Sequence, residues 1–187
     1  MQKLFIISNE SIHDENNKYF CDNIDLKTTP EGLNKNFEVN LIARKSSKNK
    51  SFNIKLDTVK TFGSIFTYVL AVIKSTFNKK SKYLIISISP YTFIACIFLK
   101  IFGKKPIVYL RSDGYGEYKA ILGVVGPAIY HLMFSLTSLI SNLVSCRKYI
   151  LMGKKGDIVS PSQLDSDWFN EVKFKNIEKI KLLNVGR

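Results

Sequence analysis

Apolar residues fall along this chain in short unbroken runs that alternate with longer stretches of helical period. The strand-like runs occupy residues 3–8, 37–43, 52–56, 83–89, 107–111, 142–146 and 157–160. Most lack polar alternation, as expected of strands covered on both faces by helices. The clearest helical pattern spans residues 58–77, where Val59, Phe62, Phe66, Val69, Leu70, Ile73 and Phe77 recur at spacings of three and four. Asp57 or Thr58 is placed to cap it. A shorter helix is expected to begin near Pro30, with Thr29 as N-cap and Glu31 in the acid-favouring first turn. Pro90 divides the uncharged residues 83–99 into a strand and a helix over 91–101, which Gly103 and Pro106 then close. Alternation of this kind predicts an α/β fold: an open, mostly parallel sheet with helices on both faces.

In such sheets ligands bind beyond the carboxyl ends of the strands, which makes the loops there the place to look for chemistry. After the first strand comes the polar stretch 9–28, too long for a plain connector. Its Asn9, Asp22 and Asn23 are candidates for hydroxyl contacts, although Asn and Asp are also ordinary turn residues. Ser89 and Tyr91 follow the fourth strand at a helix start. The densest polar and aromatic cluster follows the fifth, from Arg111 to Lys119. Arg111 suits a planar oxyanion, or pairs structurally with Asp113 or Glu117. Asp113 is a candidate base or hydroxyl contact as well as half of an Asp-Gly turn. Tyr115 and Tyr118 stack on a sugar or lipid, or cover a helix end. Arg147 follows the sixth strand.

The 187 residues are 45% apolar, enough for one globular core. The net charge of +13 is uneven, with ten basic against eight acidic residues up to position 60 and eighteen against seven afterwards. Such a field attracts phosphate in any form. Lysine pairs flanking apolar elements are solvated helix ends or a membrane-facing surface, whereas nucleic-acid binding is disfavoured because they are not interleaved with aromatics. Cys21, Cys96 and Cys146 are too scattered for a disulfide framework or a Cys-x-x-Cys site, so reduced thiols and a cytoplasmic setting are expected. His13 and His131 lack partners at metal-ligand spacing. Residues 120–146 carry no charge and are long enough to cross a bilayer, but Gly123, Gly126, Pro127, His131 and Asn142 interrupt them. A buried helix, or one lying on a membrane, is the stronger expectation.

The run Lys3-Leu4-Phe5-Ile6-Ile7-Ser8, the turn from Ser87 to Tyr91, the strand ending in Arg111-Ser112-Asp113-Gly114, the segment 157–169 and the terminal Leu182-Leu183-Asn184-Val185-Gly186-Arg187 together resemble the N-terminal half of a family 4 glycosyltransferase. The resemblance implies a GT-B enzyme of two Rossmann-like halves. Residues 1–178 match the acceptor-binding half, and residues 179–187 match the first strand of the donor-binding half, with Gly186 and Arg187 as donor-phosphate contacts. It implies retaining transfer of a hexose from a nucleotide sugar to a glycan or lipid-linked acceptor, as in polysaccharide biosynthesis, with no metal or other cofactor required. Asp113 then carries the catalytic expectation, and Asn9, Asp22, Asn23, Ser89, Tyr91, Arg111, Tyr115, Glu117, Tyr118 and Arg147 the acceptor contacts. The expected partners are the C-terminal half, without which the chain is inactive, the acceptor, and an anionic surface on the inner face of the plasma membrane. One departure is plain: the first loop, Ser8-Asn9-Glu10-Ser11-Ile12, lacks the glycines frequent there in the family. A non-catalytic membrane- or glycan-binding module and an integral membrane protein are the rival classes.

Overall fold

Leu4 to Ile7 are four consecutive buried apolar residues, and they sit at the centre of the sheet that organises everything else. The computed structural model describes residues 1–160. Its elements run β1 (Gln2–Glu15), β2 (Lys18–Cys21), α1 (Ile24–Leu33), β3 (Phe37–Ser46), β4 (Phe52–Ile54), β5 (Thr58–Phe62), α2 (Ile65–Thr76), β6 (Lys82–Ile86), α3 (Pro90–Ile101), β7 (Ile107–Leu110), α4 (Gly114–Leu122), α5 (Gly126–Ile140), β8 (Asn142–Ser145) and β9 (Gly156–Ile158). The expected α/β class holds: all nine strands form one open sheet flanked by helices. Seven strands lie parallel in the order β5-β3-β1-β6-β7-β8-β9, and the sheet is mixed because β2 and β4 add antiparallel pairing beside the far end of β1.

Strand pleating sends alternate side chains to opposite faces, and β1 does this inside a fully apolar run. Phe5 and Ile7 join a core with Tyr68 and Val72 of α2, Cys96 and Leu99 of α3, and Met133 and Phe134 of α5. Leu4 and Ile6 join the opposite core with Leu26 of α1, Leu41 and Val59. Each fully buried aliphatic side chain of this kind contributes roughly 1.5–3 kcal/mol.

Three expectations need correction. The helix over residues 58–77 is a strand followed by a helix: Thr58–Phe62 pairs in parallel with β3, and α2 starts only after Gly63, capped by Ser64 rather than by Asp57 or Thr58. Val59 and Phe62 fit the helical spacing, but burial of Val59 against the α1 face needs the strand. The helix near Pro30 begins earlier, at Ile24, with Asn23 as its cap, so Pro30 lies inside it and Thr29 caps nothing. Residues 9–28 are not a loop. β1 runs on to Glu15, turns through Asn16 and Asn17, both at positive φ, and returns as β2 before α1 begins. The uncharged residues 120–146 hold the end of α4, the whole of α5, which packs beside α4, and β8, so the short strand expected at the end of this run is present. The strand expected over 179–187 and most of the segment 157–169 lie outside the described residues, as do Gly186 and Arg187.

Candidate binding site at the carboxyl edge

Chain direction reverses across the sheet at β1, whose neighbours β3 and β6 are reached by crossovers on opposite faces. A crevice must open there, beyond the carboxyl ends of β1 and β6. In this chain β1 does not stop at the crevice but bulges across it. Between the pairs Ile7↔Ile42 and Ser11↔Arg44, β1 advances four residues while β3 advances two. The surplus puts Ser8, Asn9 and Glu10 out of register with β3, while Ser8 still pairs with Ile86 of β6; bulges of this kind re-aim side chains and recur beside active sites. Lack of glycine in this stretch is consistent with a strand that continues through it.

Every group around the bulge is held from a different element. Tyr68 of α2, wholly buried, donates its hydroxyl to the Ser8 carbonyl at 3.1 Å, and burial pushes its phenol pKa up. Ser8 in turn takes the Glu10 backbone N–H at 3.1 Å. Tyr91, in the first turn of α3, meets the Tyr68 ring edge-on at 5.4 Å and carries the Arg44 guanidinium over its own face at 4.9 Å. Asn9 Oδ1 is buried without a hydrogen-bond partner. A buried carbonyl left so costs about 1–3 kcal/mol; Ser81 Oγ and Thr137 Oγ1 are left in the same way elsewhere in the fold.

Arg111 ends β7 and reaches across to α1, bonding Asp25 and accepting no help from Asp113 or Glu117. The structural pairing expected with those two residues is therefore replaced by one from 86 positions away. Its Nη2 also donates to Asn23 Oδ1 at 3.0 Å, and Asn23 Nδ2 donates to Glu10 Oε1 at 2.8 Å. Among the described residues Nε and Nη1 have no partner. The guanidinium is thus fixed through Nη2, the nitrogen common to both of its two-donor edges, and keeps Nε–H and Nη1–H as separate donors on opposite sides. Beside it lies an open hollow of about 370 Å³ lined by Arg111, Cys146, Arg147, Tyr149, Ile150 and Ser160. Ser145 takes the Arg147 backbone N–H, and the Cys146 thiol donates to the Arg111 carbonyl at 3.1 Å, so β8 steadies the end of β7.

Ser87 leaves β6 at φ 60, locked by its N–H on the Tyr109 carbonyl and by Thr92 Oγ1 on its own carbonyl. Ser89 caps α3 through a reciprocal box with Thr92. Pro90 has no N–H, and those of Thr92 and Phe93 are already taken by Ser89. Little remains at this helix start to cradle a phosphate directly.

The other sequence candidates occupy structural posts as well. Asp113 is exposed and caps α4 by accepting the Tyr115 N–H at 3.1 Å. Glu117 is exposed one turn further on. Tyr115 bonds His131 at 2.8 Å and packs on Tyr130 and Phe134, while Tyr118 packs on Tyr130. Asp22 binds Lys50 at 2.6 Å and accepts from Ser51, which holds its carboxyl below the usual carboxylate range. The structure thus bonds Arg111 to Asn23 and Asn23 to Glu10 beside Asn9, and sets Tyr91 against Tyr68, which holds Ser8 of the same bulge; Ser89 starts α3 and Arg147 lines the hollow beside Arg111. Arg44, Tyr68, Glu10 and Asp25 belong there too and were not singled out from the sequence. Arg44 was legible by its position at the carboxyl end of the second parallel strand.

Burial pushes the thiols of Cys21 and Cys96 up, to about 11 and about 12. Neither is a nucleophile in this state. Among the described residues no group of three His, Cys, Asp or Glu is placed to hold a metal ion. No protein-family model matches the chain, and no curated protein and no solved structure is significantly similar to it.

Proposed function

We propose that this chain is the Rossmann-like, acceptor-binding half of a GT-B glycosyltransferase of the family 4 type, taking part in hexose transfer from a nucleotide sugar to a hydroxyl of a glycan or lipid-linked acceptor. The observation that carries the reading is the bulge of β1 at the switch point, where the unpaired Asn9 Oδ1 sits next in the chain to Glu10, which Asn23 links to the held guanidinium of Arg111. An unpaired carbonyl accepts from a hydroxyl, and the remaining guanidinium N–H groups donate to a hydroxyl or phosphate oxygen; a sugar or sugar phosphate presents both. The short matches at residues 87–91 and 111–114 fall just past the carboxyl ends of β6 and β7, where an acceptor site belongs in such a half, and the match at residues 3–8 covers the buried first half of β1.

In this reading Asn9, Asn23 and Arg111 orient the acceptor, and the exposed Asp113 meets the attacking hydroxyl at the crevice rim. The acceptor oxygen bonds the anomeric carbon as the bond to the nucleotide diphosphate breaks, and the hydroxyl proton leaves with the diphosphate or through Asp113. The donor half supplies the diphosphate contacts. The test is transfer by the chain together with a donor-binding half: Arg111→Ala and Asp113→Ala are each expected to lower kcat/KM at least about tenfold. Undiminished turnover in both would remove the site.

A further inference from the structure

The helical layer formed by α2, α3, α4 and α5 shows the same apolar character outward as inward. On α5, Tyr130, Met133, Phe134 and Thr137 are buried, while Ile129, Leu132, Leu136 and Leu139 point to solvent at spacings of three and four. On α2, Phe66, Leu70 and Phe77 are exposed, and the Phe77 ring lies 6.4 Å from Phe102 at the end of α3. The turn between α4 and α5 exposes Ile121, Leu122, Val124 and Val125, with Val124 at 92%. A surface helix ordinarily turns charge outward, and a patch of this extent marks an interaction surface.

The α2 and α3 part of this layer carries one sign of charge, and the exposed acids Asp113 and Glu117 lie at the start of α4. Residues 58–112 contain nine Lys and Arg and neither Asp nor Glu. Lys74, Lys79, Lys80, Lys100, Lys104 and Lys105 gather where α2 and α3 end, around the Phe77 and Phe102 pair. Lys104 donates only to the carbonyls of Asn78 and Lys79, which leaves its charge uncompensated. From these observations we infer that this layer lies flat on an anionic lipid bilayer, with the lysines among the headgroups and the outward leucines, phenylalanines and the α4–α5 turn in the acyl boundary. A second copy is a poor occupant, because a two-fold contact would set these acid-free lysine surfaces against each other. A nucleic acid would use the lysines but not the aliphatic stripe.

Length decides between lying on the membrane and crossing it. A single straight helix from Gly114 to Ile140 would put Tyr115 and Phe134 about 28 Å apart, yet their rings are 6.2 Å apart. The segment is therefore a hairpin, and its longer limb of 15 residues reaches about 22 Å against an apolar core of about 30 Å. α5 ends at the amino edge, where Asn142 pairs with Ile107, so the turn at its other end points toward the carboxyl edge. Attachment through this layer brings the crevice to the level of the headgroups. A hollow of about 450 Å³ beside α2, walled by Phe62 and Leu70 with Lys60 and Lys74, opens on the same side.

The docking does not depend on the transferase reading, and its test uses neither donor nor acceptor. The full chain is floated with phosphatidylcholine vesicles, alone or with about one-third phosphatidylglycerol. Wild type is expected to float with the anionic vesicles at least about tenfold better than with the neutral ones. Val124→Asp with Leu139→Asp, and separately Lys79→Glu with Lys80→Glu and Lys105→Glu, are expected to sink while melting like wild type. These positions are exposed, so the fold survives the changes. Wild type remaining at the bottom with both vesicles overturns the proposal. So does flotation unaffected by the aspartates, which would be charge adhesion alone, or a dimer in light scattering that Val124→Asp dissolves, which would make the layer an interface between copies.

Discussion

Asn9 and Arg111 are held differently: Asn9 Oδ1 is buried without a partner among the described residues, and Arg111 is held through Nη2 alone. Each costs stability. An unsatisfied carbonyl is paid for elsewhere in the fold, so Asn9→Leu, of nearly the same shape, is expected to stabilise the protein by about 1 kcal/mol. That is about 2–4 °C in Tm for a chain of this size. The same variant should lose acceptor-dependent turnover. A melting scan showing lower Tm for Asn9→Leu would mean that the side chain is bonded and structural. Arg111 was legible in the sequence as a strand-end arginine, but its partner was not. Asp25 and Asn23 meet it only because the β1–β2 hairpin carries the start of α1 back to the sheet edge, and no local pattern encodes a contact across 86 positions.

At the scale of elements, strands were legible wherever they were buried on both faces. β6, β7 and β8 come from unbroken apolar runs, and their starts and ends agree with the reading to within a few residues. The misreadings occur where two periods coincide or where polarity hides pairing. Val59 and Phe62 satisfy a helical stripe and a strand equally, and only the Gly63-Ser64 break decides. The β1–β2 hairpin is polar because most of its side chains are exposed or half-buried, with Ile12 and Cys21 reaching the core, and the signal for it was the Asn16-Asn17 turn. This hairpin is tied to the β4 side by Asp22 and Lys50. With the folded pKa of Asp22 depressed, the tie is present above the ordinary carboxylate range and is lost as pH falls through the folded value. A carboxyl NMR titration should place the Asp22 midpoint below the ordinary value, and Lys50→Met should return it there; an unchanged midpoint would mean that the pair contributes nothing. The α4–α5 hairpin depends on a close approach, since a Cβ at Gly126 would overlap the Tyr118 carbonyl. Gly126→Ala is expected to cost about 1–3 kcal/mol by denaturant midpoint, and a neutral result would show that the two limbs separate freely.

For the whole molecule, the sheet sorts function by edge. Lysines at the ends of α2 and α3 gather at the amino edge, and the bulge, Arg44 and Arg111 gather at the carboxyl edge. Net charge alone could not make that division, because it is produced by the parallel topology, in which every crossover begins at one edge and ends at the other. The fold class was legible for the same reason: alternating runs of two periods admit few other arrangements. What the topology cannot supply is the chemistry of the ligand. The most direct measurement is sugar transfer by this chain co-expressed with a donor-binding half, over a panel of nucleotide sugars and with glycan and lipid-linked acceptors. The account predicts turnover that needs both halves, falls at least about tenfold in Arg111→Ala, and falls again when Asn9 is replaced. Transfer that ignores both substitutions, or a folded pair of halves that transfers nothing to any hydroxyl acceptor, would contradict it.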